Sequence, residues 1–266
     1  MKYRDQKKLF RGFTLIELLV VISIIALLIG ILLPALSMTR TSALAVKCLS
    51  NQRQIGVGIY AYAADNDGAI PRGSSSVGFD GLTPPLVHAE NTANNYLWFA
   101  GSYMSHGTLV NGYISELEVM DCPDGPSPKL TPGTLEDVGD TSVFAVAVAY
   151  TYRNLDETTN DKIEDLGFNQ AGERASMLLW DVAMDVPPVN VFGIPEQLNL
   201  NHKSTVTNAL YIDGHAESTP YEPDFVLFRK SDYAALPLMT KRTDNILIRF
   251  DHAQRGGSLS NAPQLP

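Results

Sequence analysis

Between Phe13 and Leu36 the chain carries one ionisable side chain, the carboxylate of Glu17, in a run otherwise built of apolar and small residues. An ionised side chain at the centre of a bilayer costs roughly 2.5 to 3.5 kcal/mol on insertion scales. Glu17 therefore needs a cation or a set of donors to neutralise it, and the segment itself supplies no cation. Three other groups have residue types suited to chemistry. His202, Asp213 and His215 offer imidazole and carboxylate ligands of the kind zinc accepts, although Asp213-Gly214 also has the form of a tight turn. Asp65, Asp67 and Gly68 have the spacing of the first half of a calcium loop, but the bidentate acid that should follow is missing between Ile70 and Ser76. Helix capping explains the same acids. Cys48 and Cys122 are the only cysteines, too few for a paired-thiol redox motif together with a second site. No Gly-x-Ser-x-Gly elbow, His-Glu-x-x-His pair or phosphate-cradling glycine loop is present.

These residues need elements to hold them. Lys2, Arg4, Lys7, Lys8 and Arg11 precede the apolar run against Asp5 alone, a bias that retains the leading segment on the cytoplasmic side. As a helix, Phe13 to Leu36 would reach about 36 Å, enough for a hydrocarbon core of about 30 Å. The triplet Ala43-Leu44-Ala45 has the small-residue form of an ordinary secretory cleavage site. The run before it, however, is longer than the 7 to 15 or so residues such signals use. Gly30 and Pro34 lie in the distal half, where proline removes one backbone hydrogen bond, so a kink or local melting is expected. Beyond it Leu44, Cys48, Ile55, Ile59 and Tyr62 recur at helical spacing as one apolar stripe, with Arg40, Lys47, Asn51, Arg53 and Gln54 on other faces. Gly56 and Gly58 would let a neighbouring strand come close. The helix should end by Asp65-Asn66-Asp67-Gly68.

The block Arg11-Gly12-Phe13-Thr14-Leu15-Ile16-Glu17 resembles the amino-terminal signal of type IV pilins and of the pseudopilins of type II secretion. The resemblance implies cleavage between Gly12 and Phe13 by a membrane-embedded prepilin peptidase and N-methylation of Phe13. It also implies that Glu17 pairs with the terminal ammonium of a neighbouring subunit, and that Gly30 and Pro34 let the helix stretch in a packed filament. A second likeness, to planctomycete-type pilin-like proteins, rests on Cys48 to Tyr62, Asp65 to Gly68, Cys122-Pro123 and the passage from His202 to Asp213-Gly214. There, ten residues separate the histidine from the aspartate, one more than that family has. Residues 219 to 266 are not covered by it.

The expected fold is α+β, a long amino-terminal helical spine against an antiparallel sheet. Its divisions are a cytoplasmic leader (1–12), a transmembrane helix (13–36), an amphipathic continuation (37–64), a globular ectodomain (65–225) and a carboxy-terminal extension with a flexible tail (226–266). Strand patterns fall at Val143 to Tyr152, Met177 to Trp180, Phe225 to Arg229 and Ile246 to Phe250. Asn208 to Ile212, Asp213-Gly214 and His215 to Thr219 read as a hairpin on a two-residue turn with both central residues at positive φ. Cys48 and Cys122 would both lie on the oxidising side, free to bridge or to stay buried as thiols. Loss of five basic residues and one acidic residue with the leader takes the formal charge from −9 to about −13. Nucleic acid is therefore not an expected partner. Expected partners are like subunits, the peptidase, an inner-membrane assembly platform and the bilayer. No cofactor is expected beyond calcium at the acids noted above, and the subunit is expected to be no enzyme. Two rivals remain: a membrane-tethered periplasmic binding module, and a periplasmic hydrolase with a metal on His202, Asp213 and His215.

Overall fold

A computed structural model describes residues 14–71, 93–99, 101–124, 133–143, 145–153, 159–181, 183–186, 197–200, 206–221, 227–228, 236–257 and 261–264. The chain divides into two compact units, Met1–Ser42 and Ala43–Pro266.

Helix α1 runs from Leu15 to Asp65. In the first unit its large apolar side chains are exposed all round, from Leu15 (79%) to Leu36 (64%). Ser23 donates to the Leu19 carbonyl at 2.8 Å and Thr39 to that of Leu36 at 3.0 Å, so these hydroxyls are satisfied within the helix. The helix runs without a break through Gly30 and Pro34, since proline deletes only the bond that would close on the Gly30 carbonyl.

In the second unit α1 buries Ala45, Cys48, Ile55, Ile59 and Ala63, steps of three and four or their sum. This stripe packs on a six-stranded antiparallel sheet ordered β10-β9-β6-β3-β1-β2. Its strands are β1 (Ala93–Phe99), β2 (Ser102–Tyr103), β3 (Ala145–Arg153), β6 (Met177–Asp181), β9 (Val206–Tyr211) and β10 (Ala216–Pro220). Strands β4 (Thr159–Lys162) and β5 (Asp165–Gly167) form a small hairpin. Strands β7 (Ala183–Val186), β8 (Gln197–Leu200) and β11 (Leu227–Phe228) form a three-stranded sheet with β7 central. The fold is α+β, as the sequence implies. Gly56 lies where a Cβ would meet Leu210 of β9 at 3.1 Å, so helix and strand approach as closely as that glycine permits.

The sheet is covered on both faces. Along β3, Val148, Tyr150 and Tyr152 join Cys48, Ile55 and Ile59 in the main core, while Thr151 and Arg153, on the opposite side of the pleat, are also buried. All five residues of β6 are buried. The second cover includes helix α2 (Leu236–Gln254), where a strand was expected at Ile246 to Phe250. Ile246, Leu247, Ile248 and Phe250 have strand-like side chains, but a short apolar run does not distinguish a strand from a buried helix. Tertiary contacts decide it: Asp244, Arg249 and Asp251 are buried with them.

Asp251 anchors α2. Its Oδ1 accepts from Ser176 N–H (2.8 Å), Met177 N–H (3.0 Å) and Arg153 Nη1 (3.0 Å), and its Oδ2 from Arg153 Nη2 (2.8 Å) and Asn169 Nδ2 (3.0 Å). Beyond α2, Gly257 lies directly against the His252 ring, and Ala262 is buried.

Candidate functional site

At its start α1 is closed by a capping box. Thr14 N–H and Thr14 Oγ1 each donate to Glu17 Oε2 at 2.8 Å, and Glu17 N–H returns a bond to Thr14 Oγ1 at 3.3 Å. The carboxylate thus holds the first helical turn as well as being the only charge of the apolar segment. Both bonds fall on Oε2, and among the described residues no donor reaches Oε1. Thr-x-x-Glu before an apolar run is the local sequence signal for such a cap. Gly12 and Phe13 lie outside the described residues.

The second part of α1 is clasped to the sheet by polar side chains. Gln52, fully buried, donates through Nε2 to Asp181 Oδ1 at 2.8 Å and to the Asn208 carbonyl at 3.3 Å. Asp181 Oδ2 accepts the Asn208 N–H at 3.0 Å, and Asn208 Nδ2 reaches the Ala45 carbonyl at 3.3 Å. One turn round, Asn51 donates to the Asp121 carbonyl at 3.2 Å and Arg53 to that of Ala216 at 3.1 Å. Asn51 is therefore not on a solvated face, as its polarity suggested. It is buried, because the helix must satisfy carbonyls of the chain it covers. Cys48 and Cys122 are bridged, with Cα atoms 5.3 Å apart, and Tyr150 Oη donates to Cys48 Sγ at 3.2 Å. The Asp181 carboxylate lies close to both sulfurs. The two sulfurs are joined to each other, and each Asp181 carboxylate oxygen accepts a hydrogen bond of the clasp.

The Asp213-Gly214 passage closes β9 onto β10. Gly214 N–H returns to the Tyr211 carbonyl at 3.0 Å, and Gly214 has φ +81°. Asp213 is not at positive φ, so this is a four-residue turn, Tyr211 to Gly214, whose last residue is the left-handed glycine, not the two-residue turn expected. Asp213 Oδ1 accepts the His215 N–H at 3.1 Å and lies 2.6 Å from His215 Nδ1. The imidazole stacks on Tyr211 with centroids 4.5 Å apart. The tip rests on α1: Tyr60 Oη donates to the Ile212 carbonyl, and a Cβ on residue 214 would meet the Tyr60 ring at 3.3 Å. Asp213 and His215 thus serve the turn, while His202 lies outside the described residues.

Asp65 and Asp67 sit at the end of α1. Gly68 N–H bonds the Ala63 carbonyl at 2.7 Å, with Asp67 (φ +53°) and Gly68 (φ +81°) both left-handed, the arrangement of a helix C-cap. Lys162 Nζ lies 2.6 Å from the Asp67 carbonyl, so a cation of the protein already occupies part of that surface. An open cleft of about 220 Å³ between Gln54, Val57, Tyr113, Ile114 and Glu116 is smaller than usual ligand pockets of about 300 to 1,000 Å³.

His106, stacked on Tyr152 with centroids 5.4 Å apart, is buried, and among the described residues neither ring nitrogen has a hydrogen-bond partner. Burial pushes its pKa from 6.5 down to about 3, so it is neutral at physiological pH.

Residues 7–33 match the family model described as the prokaryotic N-terminal methylation motif. No curated protein and no solved structure matches the chain significantly. The first helix is long and apolar enough to cross a bilayer, and together with the methylation motif it supports a pilin-like, membrane-anchored protein of the prepilin-processed kind.

Proposed function

We propose that this chain is a structural subunit of a type IV pilus or of a type II secretion-like filament. It is inserted in the cytoplasmic membrane with its amino end inside, cut between Gly12 and Phe13, and methylated on Phe13. It is then drawn from the bilayer by an inner-membrane assembly platform. The observation that carries this reading is the methylation motif over residues 7–33, which spans the basic flank, the cleavage position and Glu17. Glu17 is the residue on which assembly turns. Its Oε2 is committed to Thr14, and its Oε1 accepts the ammonium of Phe13 in a neighbouring copy. A fresh ammonium at a helix start opposes the helix dipole and gains from such a partner. The clasp on the sheet transmits load from α1 to the globular unit. The reading assigns the protein no catalytic activity and no cofactor.

Two variants test it in cells that express the peptidase and the platform. Gly12→Glu should accumulate as uncut precursor in the membrane, and Glu17→Gln should be cut and methylated yet give no sheared filament fraction. Filaments of normal yield from Glu17→Gln would refute the assembly role while leaving the processing role intact.

A further inference from the structure

The described chain contains three fully placed pairs in which glycine follows asparagine or aspartate: Asp67-Gly68, Asn111-Gly112 and Asp213-Gly214. Such pairs can cyclise, because the glycine nitrogen has no neighbouring Cβ to hinder its attack on the side-chain carbonyl carbon of the residue before it. The structure separates the three by what that nitrogen is doing. Gly68 N–H is bonded to the Ala63 carbonyl at 2.7 Å, and Gly214 N–H to that of Tyr211 at 3.0 Å. The Asp213 carboxylate is further held against His215 at 2.6 Å. Cyclisation at either pair must break a turn that caps a helix or closes a hairpin.

Asn111-Gly112 has no such protection. It follows the 3-10 helix Ser105–Val110, whose last turn uses only the Asn111 backbone N–H, bonded to the Thr108 carbonyl at 3.2 Å. Both residues are exposed, and among the described residues neither the Asn111 amide side chain nor the Gly112 N–H has a partner. Gly112 has φ +108°, and a Cβ placed there would meet nothing within 4 Å, so the peptide has room to turn. The next fixed points are Tyr113 and Ile114, whose N–H groups both bond the Leu109 carbonyl at 2.9 Å.

We infer that Asn111 is a site of spontaneous deamidation in the folded protein, a modification separate from amino-terminal processing. The Gly112 nitrogen loses its proton and bonds to Asn111 Cγ. The Cγ–Nδ2 bond breaks, the amide leaves as ammonia, and a five-membered succinimide remains. Water then opens the ring at either carbonyl, giving isoaspartate or aspartate. No oxidant or enzyme is needed, and each event adds one negative charge to an already acidic surface.

The test follows the intact full chain in detergent through prolonged incubation at mildly alkaline pH, with a parallel sample in denaturant. Peptide mapping by electron-based fragmentation locates isoaspartate. The expected result is conversion of Asn111 in the native sample at a rate within a few-fold of the denatured one. Rearrangement at Asp67-Gly68 and Asp213-Gly214 should be suppressed at least tenfold by folding. Asn111→Gln should abolish the modified peptide without shifting the melting temperature. Native Asn111 that stays intact while the denatured chain reacts would overturn the inference, and so would equal suppression at all three pairs.

Discussion

Asp251→Asn retains the shape of a buried carboxylate and removes its charge. In the native protein Arg153 and Asp251 are 2% and 0% exposed, with 2.8 Å between Nη2 and Oδ2. The variant leaves the guanidinium inside the protein with no counter-charge, and removal of one partner from a buried pair costs about 3 to 5 kcal/mol. The new amide also directs a donor at donors, since Oδ1 and Oδ2 together accept from Ser176, Met177, Asn169 and Arg153. The loss should therefore be about 4 kcal/mol, a large share of the 5 to 15 or so typical of a domain. Urea denaturation of the full chain in detergent, followed through the emission of the fully buried Trp180, measures it. The double variant Arg153→Met with Asp251→Leu should recover only the part of the loss that comes from the unpaired charge, because it still leaves the Ser176 and Met177 N–H groups and the Asn169 amide without their acceptor. Acid should act on the same pair. Burial alone raises the Asp251 pKa, but Arg153 and the N–H donors outweigh it and hold the group below 3.8. Its contribution is present above about pH 4 and is lost as pH falls through the lower folded value. A loss under about 1 kcal/mol for Asp251→Asn would show that α2 is not held by this ion pair.

Four shorter expectations accompany it. Replacing Cys48 and Cys122 together by serine should lower stability by about 2 to 4 kcal/mol, read as a drop in the urea midpoint that matches wild type under reductant. Because neutral His106 takes up a proton only when the chain unfolds, stability should fall by about 1 kcal/mol per pH unit as pH drops from 6.5 towards 3. His106→Phe should flatten that slope between pH 6 and 5, and an unchanged slope would assign it elsewhere. Gly214→Ala should cost about 1 kcal/mol or more, since φ +81° is strained for alanine and Tyr60 lies against the new methyl. Ile59→Ala should cost about 2 to 5 kcal/mol by opening a cavity between α1 and the sheet, as measured by thermal melting.

What the sequence revealed follows from which signals are local. α1 is legible because charge, hydropathy and the Asp65 to Gly68 cap all lie within one continuous stretch, and β3, β6 and the β9 to β10 hairpin announce themselves by β-branched and aromatic residues and an Asp-Gly pair. The Thr14 cap is equally local. The clasp was not legible: Gln52 and Asn51 look like surface residues until Asp181 and Asp121, far away in sequence, are brought beside them. Helix α2 was read as a strand for the same reason, since Ile246 to Phe250 are buried by partners that no window of the sequence contains. At the candidate site, Glu17 stands out in the sequence as the one charge of the apolar segment. Asp213, His215, Asp65 and Asp67 read both as turn or cap residues and as ligands, because turns and caps use the same side chains that metals do.

The amino-terminal peptide is where the account is most exposed. Purified from cells with an active prepilin peptidase, the chain should yield by mass spectrometry a first residue of N-methylated Phe13, with residues 1–12 missing. A chain that still begins at Met1 in those cells, or that begins after Ala45, would contradict it.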